Sequence, residues 1–316
     1  MMTTKLLLVL LPFALLGVLA RPRKESAVPK VQPARLETHV RALAETFVPR
    51  DWNHPENLDR AAAYIRAELE RAGGRVEEQP YEVDGRTYRN VLARFGPETR
   101  ERVVVGAHYD AAGPLPGADD NASGVAGLIE LAHLLGDSRL RTEVELVAYT
   151  LEEPPAFGSR EMGSAIHAKS LRKREVPVKA MISLEMIGYF RDEPGSQEFP
   201  APFLRFIYPN TGNFITVAGK LGQGGLVRRV RNAMRKASAL PVESITAPES
   251  LPGVSLSDHR NYWAAGYEAV MITDTAFYRN DNYHSETDTP DTLDYPRMAM
   301  VVEGVHGAVL ALAGRK

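Results

Sequence analysis

The run Val103-Val-Val-Gly-Ala-His-Tyr-Asp110 constrains this chain more than any other stretch. An unbroken apolar run rich in β-branched residues reads as a strand buried on both faces, and such strands belong to largely parallel sheets covered by helices. It ends in His-x-Asp, and after a short Gly/Pro-rich segment Gly117-Ala-Asp-Asp-Asn-Ala-Ser-Gly124 carries two adjacent carboxylates into a helical pattern. Ligands of open α/β sheets bind beyond the carboxyl ends of the strands, so this is the layout of a metal site at a sheet edge. His108 would point into that crevice, and Asp110, two residues on, is placed to accept the second ring N–H and fix the tautomer. The plainer reading is a strand-end histidine satisfied by a nearby aspartate. The rest of the chain decides between them.

Two further strands end in acids. Leu146-Val-Ala-Tyr-Thr-Leu151 runs into Glu152-Glu153 after a crossover helix over residues 125–135, so a right-handed parallel connection brings this pair beside His108. Neighbouring side chains at a strand end point in different directions, which lets one glutamate hold a metal while the other handles a proton, as metal-assisted hydrolysis requires. Val178-Lys-Ala-Met-Ile-Ser-Leu-Glu-Met-Ile-Gly188 carries Glu185 near its end. An ionised group in such a run is expensive unless it is paired or bound to a metal.

The other elements follow from periodicity and turn chemistry. Residues 39–48 and 58–72 read as helices, the second closed by Gly73-Gly74; residues 75–95 alternate and turn at Asp84-Gly85 as a hairpin. Residues 157–170 read as a helix after Pro154-Pro155, 213–219 as a short strand, 225–239 as a basic amphipathic helix, 268–274 as a late strand and 296–312 as a closing helix. The loop ending in Asn282-Tyr-His-Ser-Glu-Thr-Asp-Thr289 carries His284. Leu256-Ser-Asp-His-Arg260 does not form a serine triad, since contiguous residues cannot converge and there is no Gly-x-Ser-x-Gly elbow. Asn121-Ala-Ser123 matches a glycosylation sequon, but a glycan there would obstruct the crevice.

With 316 residues and no repeat, the chain is long enough for one large α/β domain. A formal charge of -2 argues against a nucleic-acid partner, and the absence of cysteine removes disulfides, Cys-ligated zinc and thiol catalysis. Lys5 followed by the apolar run 6–19 and Val18-Leu-Ala20 reads as a secretory signal, which predicts an exported, periplasmic or extracellular protein. The alternative is an anchor at residues 6–20, suggested by Arg21-Pro-Arg-Lys24 beyond the run; only then is a membrane involved. The expected division is a signal or anchor at 1–20, a linker at 21–33 and a catalytic domain at 34–316.

Gly-Ala-His-Tyr-Asp, Gly-Ala-Asp-Asp-Asn-Ala-Ser-Gly, Glu-Glu before Gly-Ser-x-x-Met-Gly-Ser, Leu-Glu-Met-Ile-Gly, Ser-Asp-His and Tyr-His-Ser-Glu-Thr-Asp-Thr occur here in one order. Together they resemble the dinuclear-zinc aminopeptidases of peptidase clan MH, a group that includes glutamate carboxypeptidase and glutaminyl cyclase. The resemblance spans roughly residues 36–312. It implies a three-layer α/β/α fold with a central mixed, mostly parallel sheet, and a peptide or amino-acyl substrate.

Carried over residue by residue, the resemblance implies two zinc ions per chain bridged by Asp119, with His108 and Glu185 completing one site and Glu153 and His284 the other. It makes Glu152 the general base, Asp110 the residue that orients His108, and Ser257 a supporting residue. One departure is Glu185, where the aminopeptidases more often carry aspartate, which leaves a mononuclear, cyclase-like acyltransferase as the alternative. A non-catalytic binding homologue, of which the transferrin receptor is an example, would be expected to have lost ligands. None of the five is missing here.

Overall fold

The computed structural model describes residues 31–314; the expected signal or anchor and most of the linker lie outside them. The elements are α1 (Pro33–Arg41), α2 (Pro55–Arg71), β1 (Arg75–Val83), β2 (Arg86–Phe95), β3 (Arg102–His108), α3 (Gly124–Gly136), β4 (Glu143–Tyr149) and α4 (Gly163–Lys173). They continue with β5 (Val178–Leu184), β6 (Ile215–Lys220), α5 (Gly224–Ala237), β7 (Val242–Ala247), α6 (His259–Ala264), β8 (Ala269–Thr273) and α7 (Tyr295–Ala313).

The eight strands form one sheet in the order β1-β2-β4-β3-β5-β8-β6-β7. Strands β4, β3, β5 and β8 run parallel to one another, the β1–β2 hairpin joins β4 antiparallel, and β6 meets β8 antiparallel while pairing parallel with β7. The sheet is therefore mixed, as expected. β3 is central because its side chains are apolar on both faces: Val103, Val105 and Ala107 enter the core shared with α1, α2, α3, α5 and α7, and Val104 enters the core under α4 and α6. Alternation along a doubly covered strand is what creates the three layers.

Close packing fixes how β3 and β4 meet. A Cβ added at Gly106 would stand 2.2 Å from Tyr149 Cε2, and the Tyr149 hydroxyl in turn shares a 2.7 Å hydrogen bond with Tyr262 on α6. Gly163 opens α4 with equally little room, a Cβ there falling 2.1 Å from Asn90 Oδ1.

Three differences from the sequence reading have physical causes. The helix expected from residue 157 begins only at Gly163; before it, Gly158 at φ 78° and the Glu153–Ser159 turns hold irregular backbone against the site. β7 was not expected as a strand; it is an edge strand and is mostly half-buried, so it lacks a clear two-residue alternation. α6 is only six residues long and starts inside the Ser-Asp-His segment, too short for a helical period.

Gly106→Ala is expected to destabilise the fold by about 2 kcal/mol or more, since neither the strand nor the buried Tyr149 can yield easily. Chemical denaturation of the two proteins measures it; a loss below about 0.5 kcal/mol would mean that Tyr149 repacks freely.

Candidate metal centre

Three adjacent parallel strands end at one place. Central β3 delivers His108, β4 on one side is followed by Glu152 and Glu153, and β5 on the other is followed by Glu185. The loop from β3 into α3 adds Asp120, and the loop after β8 adds His284.

His108 Nε2 lies 3.3 Å from Asp120 Oδ1, 3.5 Å from Glu185 Oε2 and 3.9 Å from Glu152 Oε2. His284 Nε2 lies 3.1 Å from Asp120 Oδ2 and 3.3 Å from Glu153 Oε2. Asp120 thus offers one oxygen to each imidazole. His108–Asp120–Glu185 and Asp120–Glu153–His284 are two donor sets that share this carboxylate, and each has its ligand atoms within 4.8 Å of one another.

The expected bridging residue, Asp119, is not in this cluster. Its Oδ1 accepts from the Gly188 N–H at 3.0 Å and its Oδ2 from Asn280 Nδ2 at 2.9 Å, pointing away from the histidines. The backbone decides this: Asp120 leaves helical geometry (φ -101°, ψ 91°), so neighbouring carboxylates face opposite ways. Asp288 clamps that turn, accepting from the N–H groups of both Asp119 and Asp120 at 2.9 and 3.1 Å. Two adjacent acids in a loop carry no periodicity that distinguishes them, so sequence reasoning selected the wrong member.

The loop rests on Arg50, which is fully buried. Its guanidinium donates to the carbonyls of Tyr109 and Leu43, both at 3.0 Å, and to those of Pro116 and Gly117. It has no carboxylate partner within salt-bridge distance among the described residues, and burial pushes it down to about 10. Nothing around Arg50 in the sequence signals this role.

Asp110 Oδ1 stops 3.6 Å from His108 Nδ1, which meets the Asp110 backbone carbonyl at 3.3 Å, and Asp110 Oδ2 accepts the Glu153 N–H at 3.0 Å, so Asp110 links the two strand ends. Ser257 donates to Glu185 Oε2 at 2.7 Å and meets Ser183 Oγ at 2.9 Å. Asn121 of the sequon is fully buried, its amide donating to Leu184 O. His39 and Tyr64 pair far from this centre.

Electrostatically the cluster asks for positive charge. Burial, reinforced by Glu185 and Glu153, raises Glu152 well above the usual carboxylate range; burial, then Asp120, pushes Glu153 up to about 7. Burial would lower His284, but its hydrogen bonds with Asp120 and Glu153 outweigh it and push it up to about 10. Burial would raise Asp120, but His108 and His284 pull it below the usual range. The surrounding carboxylates thus favour positive charge at both imidazoles, raising His108 too despite its burial, while His108 Nε2 and Glu153 Oε1 have no hydrogen-bond partner. Imidazole and carboxylate donors of this kind suit zinc.

Beside Glu185 opens an apolar cleft whose walls include Phe199, Phe214, Ile245, Leu251, Val254 and Met271. Residues 197–200 and 251–254 supply two of its rims.

The Peptidase family M28 model matches residues 90–309, which contain the whole donor cluster. The chain belongs to peptidase family M28. It is 48% identical over 281 residues to the Uncharacterized protein YfbL of Escherichia coli strain K12, covering 86% of each chain. It is 26% identical to Leucine aminopeptidase 1 of Trichoderma harzianum over 71% of this chain and 54% of that one, so it spans about half the length of such relatives. Solved M28-like folds include the LapA aminopeptidase of Legionella pneumophila, with a TM-score of 0.70, 17% identity, and 90% and 72% of the two chains covered. The glutaminyl cyclase of Bacteroides thetaiotaomicron gives 0.66 at 19% identity, covering 91% and 99%. These structures share the mixed-sheet α/β fold. The family and the aminopeptidase relatives support a peptidase, and hence a hydrolase.

Metal uptake here requires ionised carboxylates and neutral imidazoles, so it must release protons. With Glu153 near 7 and His284 near 10, affinity falls as pH drops through 7, where Glu153 protonates, and more than one proton is released per chain near neutrality. Titration calorimetry of the metal-free protein with Zn2+ in buffers of differing ionisation enthalpy measures this. Uptake without proton release would refute the coupling.

Proposed function

We propose that the protein is an exported zinc-dependent aminopeptidase with two metal ions per chain. One observation carries the reading: the two histidines, on separate loops and strands, converge on opposite oxygens of Asp120, and each has its own glutamate. In this assignment Asp120 would be shared by both ions, in the place that the sequence reading gave to Asp119; His108 and Glu185 would help to hold one ion, Glu153 and His284 the other. When bound, such a pair supplies Lewis acidity toward the scissile carbonyl and the attacking water.

The chain's own residues do the rest. Glu152 shares a third possible donor set with His108 and Glu153 but lies outside both sets built on Asp120, so it is the carboxylate left to act as general base. It accepts the proton of the attacking water and returns it to the leaving amine. Burial holds that proton on Glu152 more tightly than on an ordinary glutamate, which suits a group that must both take and give it near neutral pH. Asp110 keeps the His108 ring oriented, and Ser257 fixes the carboxylate of Glu185, whose extra methylene relative to aspartate it helps to place. The apolar cleft beside Glu185 receives the side chain of the substrate's N-terminal residue.

Glutaminyl cyclases share the scaffold, which supports an acyltransferase as the second reading. The complete double donor set favours hydrolysis. Glu152→Gln is expected to retain metal and fold while losing about 10²–10⁴-fold in turnover, and N-acetylated peptides should resist cleavage where free-amine peptides are cut. Full activity of Glu152→Gln would refute the base assignment. Ammonia release from glutaminyl peptides without peptide hydrolysis would establish the cyclase reading instead.

Asp119 and Asp120 are separable by substitution. Asp120→Asn is expected to lose both ions, whereas Asp119→Asn should keep them but unfold at lower temperature, because its carboxylate anchors Gly188 and Asn280. Metal content by mass spectrometry and a thermal melt distinguish the two. Loss of both ions from Asp119→Asn alone would restore the original assignment.

A further inference from the structure

Residues 199–242 contain seven Lys/Arg and no Asp or Glu, in a chain whose formal charge is -2. The same segment supplies four of the large apolar side chains exposed among the described residues: Phe203 at 61%, Phe206 at 79%, Ile207 at 65% and Leu221 at 61%. Cations and exposed apolar groups are each ordinary on a surface, but their coincidence in one segment is not.

The fold brings them onto one edge. β7 ends the sheet, and its Ser244 is held from two sides: its carbonyl accepts from Tyr208 at 2.9 Å, and its hydroxyl meets Arg231 of α5 at 3.3 Å. Phe206 and Ile207 directly precede Tyr208, so the 3-10 turn Pro202–Phe206 and α5 flank the same strand from its two faces. Arg228, Arg229, Arg235 and Lys236 are exposed on α5, whose apolar side is buried by Leu226, Val227, Val230 and Met234. Arg205, Arg228, Arg229, Arg231 and Lys236 make no ion pair among the described residues, and Arg205 lies over the Phe206 ring at 5.0 Å.

We propose that this edge of the sheet, the turn at 202–207 together with the basic side chains of α5 along β7, docks on an anionic phospholipid surface. Basic side chains draw the face to phosphate headgroups, and the phenylalanines and Ile207 enter the boundary below them. The pairing separates lipid from other polyanions: a nucleic acid rewards the cations but gives nothing for Ile207 or Leu221, which cannot stack on a base. A second chain adding a strand to β7 is disfavoured, because the Val242 and Ser244 carbonyls are already taken by Arg235 and Tyr208. The proposal does not depend on the peptidase reading. It places the apolar cleft near the lipid, since Leu204 and Tyr208 of the same turn line it.

The chain has no cysteine, so a single environment-sensitive probe can report on one position of the full-length protein. F206C carrying the fluorophore NBD is expected to shift to the blue and brighten on vesicles of phosphatidylcholine with about one-third phosphatidylglycerol, and not on phosphatidylcholine alone. E98C, exposed near β1 at the opposite edge of the sheet, should not respond, which separates docking of this face from attachment by any other part of the chain. Charge reversal by R228E and R229E should weaken the F206C response at least about tenfold in apparent affinity, each cation being worth about fivefold, while peptide hydrolysis in solution is unchanged. No response of F206C to anionic vesicles overturns the proposal. An equal response to a single-stranded oligonucleotide, or one that R228E and R229E leave intact, overturns it too.

Discussion

Four buried carboxylates, Asp120, Glu152, Glu153 and Glu185, share the end of the sheet with only two imidazoles. Taking an ion out of water costs several kcal/mol after relaxation unless opposite charge returns it, and like charges this close resist simultaneous ionisation. The surrounding structure is organised to hold that arrangement. Arg50 ties the ligand loop by three of its carbonyls to that of Leu43, Asp288 clamps its two N–H groups, Asp110 joins the ends of β3 and β4, and Ser257 steadies Glu185. Each spends a buried polar group on position, which is worthwhile only where a ligand needs that geometry.

The parallel core makes the convergence possible. With β4, β3 and β5 side by side and pointing the same way, their carboxyl ends deliver His108, the Glu152–Glu153 pair and Glu185 within a few ångströms, although 77 residues separate the first from the last in number. An antiparallel neighbour would have put its acid at the far end of the sheet. The same argument explains why strand ends were readable in advance: an apolar run that stops at a charged residue marks both the strand and its functional end.

Averages conceal what geometry concentrates. A whole-chain charge near zero argued against a nucleic-acid partner, yet the cations of α5 and the exposed phenylalanines of the 202–206 turn lie on the two sides of β7, because an edge strand lets both of its flanks reach solvent. Neither the turn nor β7 had a periodicity that a sequence reading could use. Their partners are the Ser244 carbonyl and hydroxyl, which no pattern of residue types announces.

Hydrophobic run length and turn residues determined by themselves an α/β chain with histidine and acids at successive strand ends, and the order of its motifs carried the resemblance to the clan MH aminopeptidases. Those signals are local, because burial on both faces of a strand is written in consecutive residues. Only the tertiary structure decided that Asp120 rather than Asp119 enters the centre, that Arg50 carries its loop, and that a basic, apolar face lies along β7. Each depends on the direction of a side chain in irregular backbone or on contacts between distant segments. The opening stretch, Val103 to Gly124, thus specified where the centre lies, and the turn after Gly117 specified which carboxylate completes it.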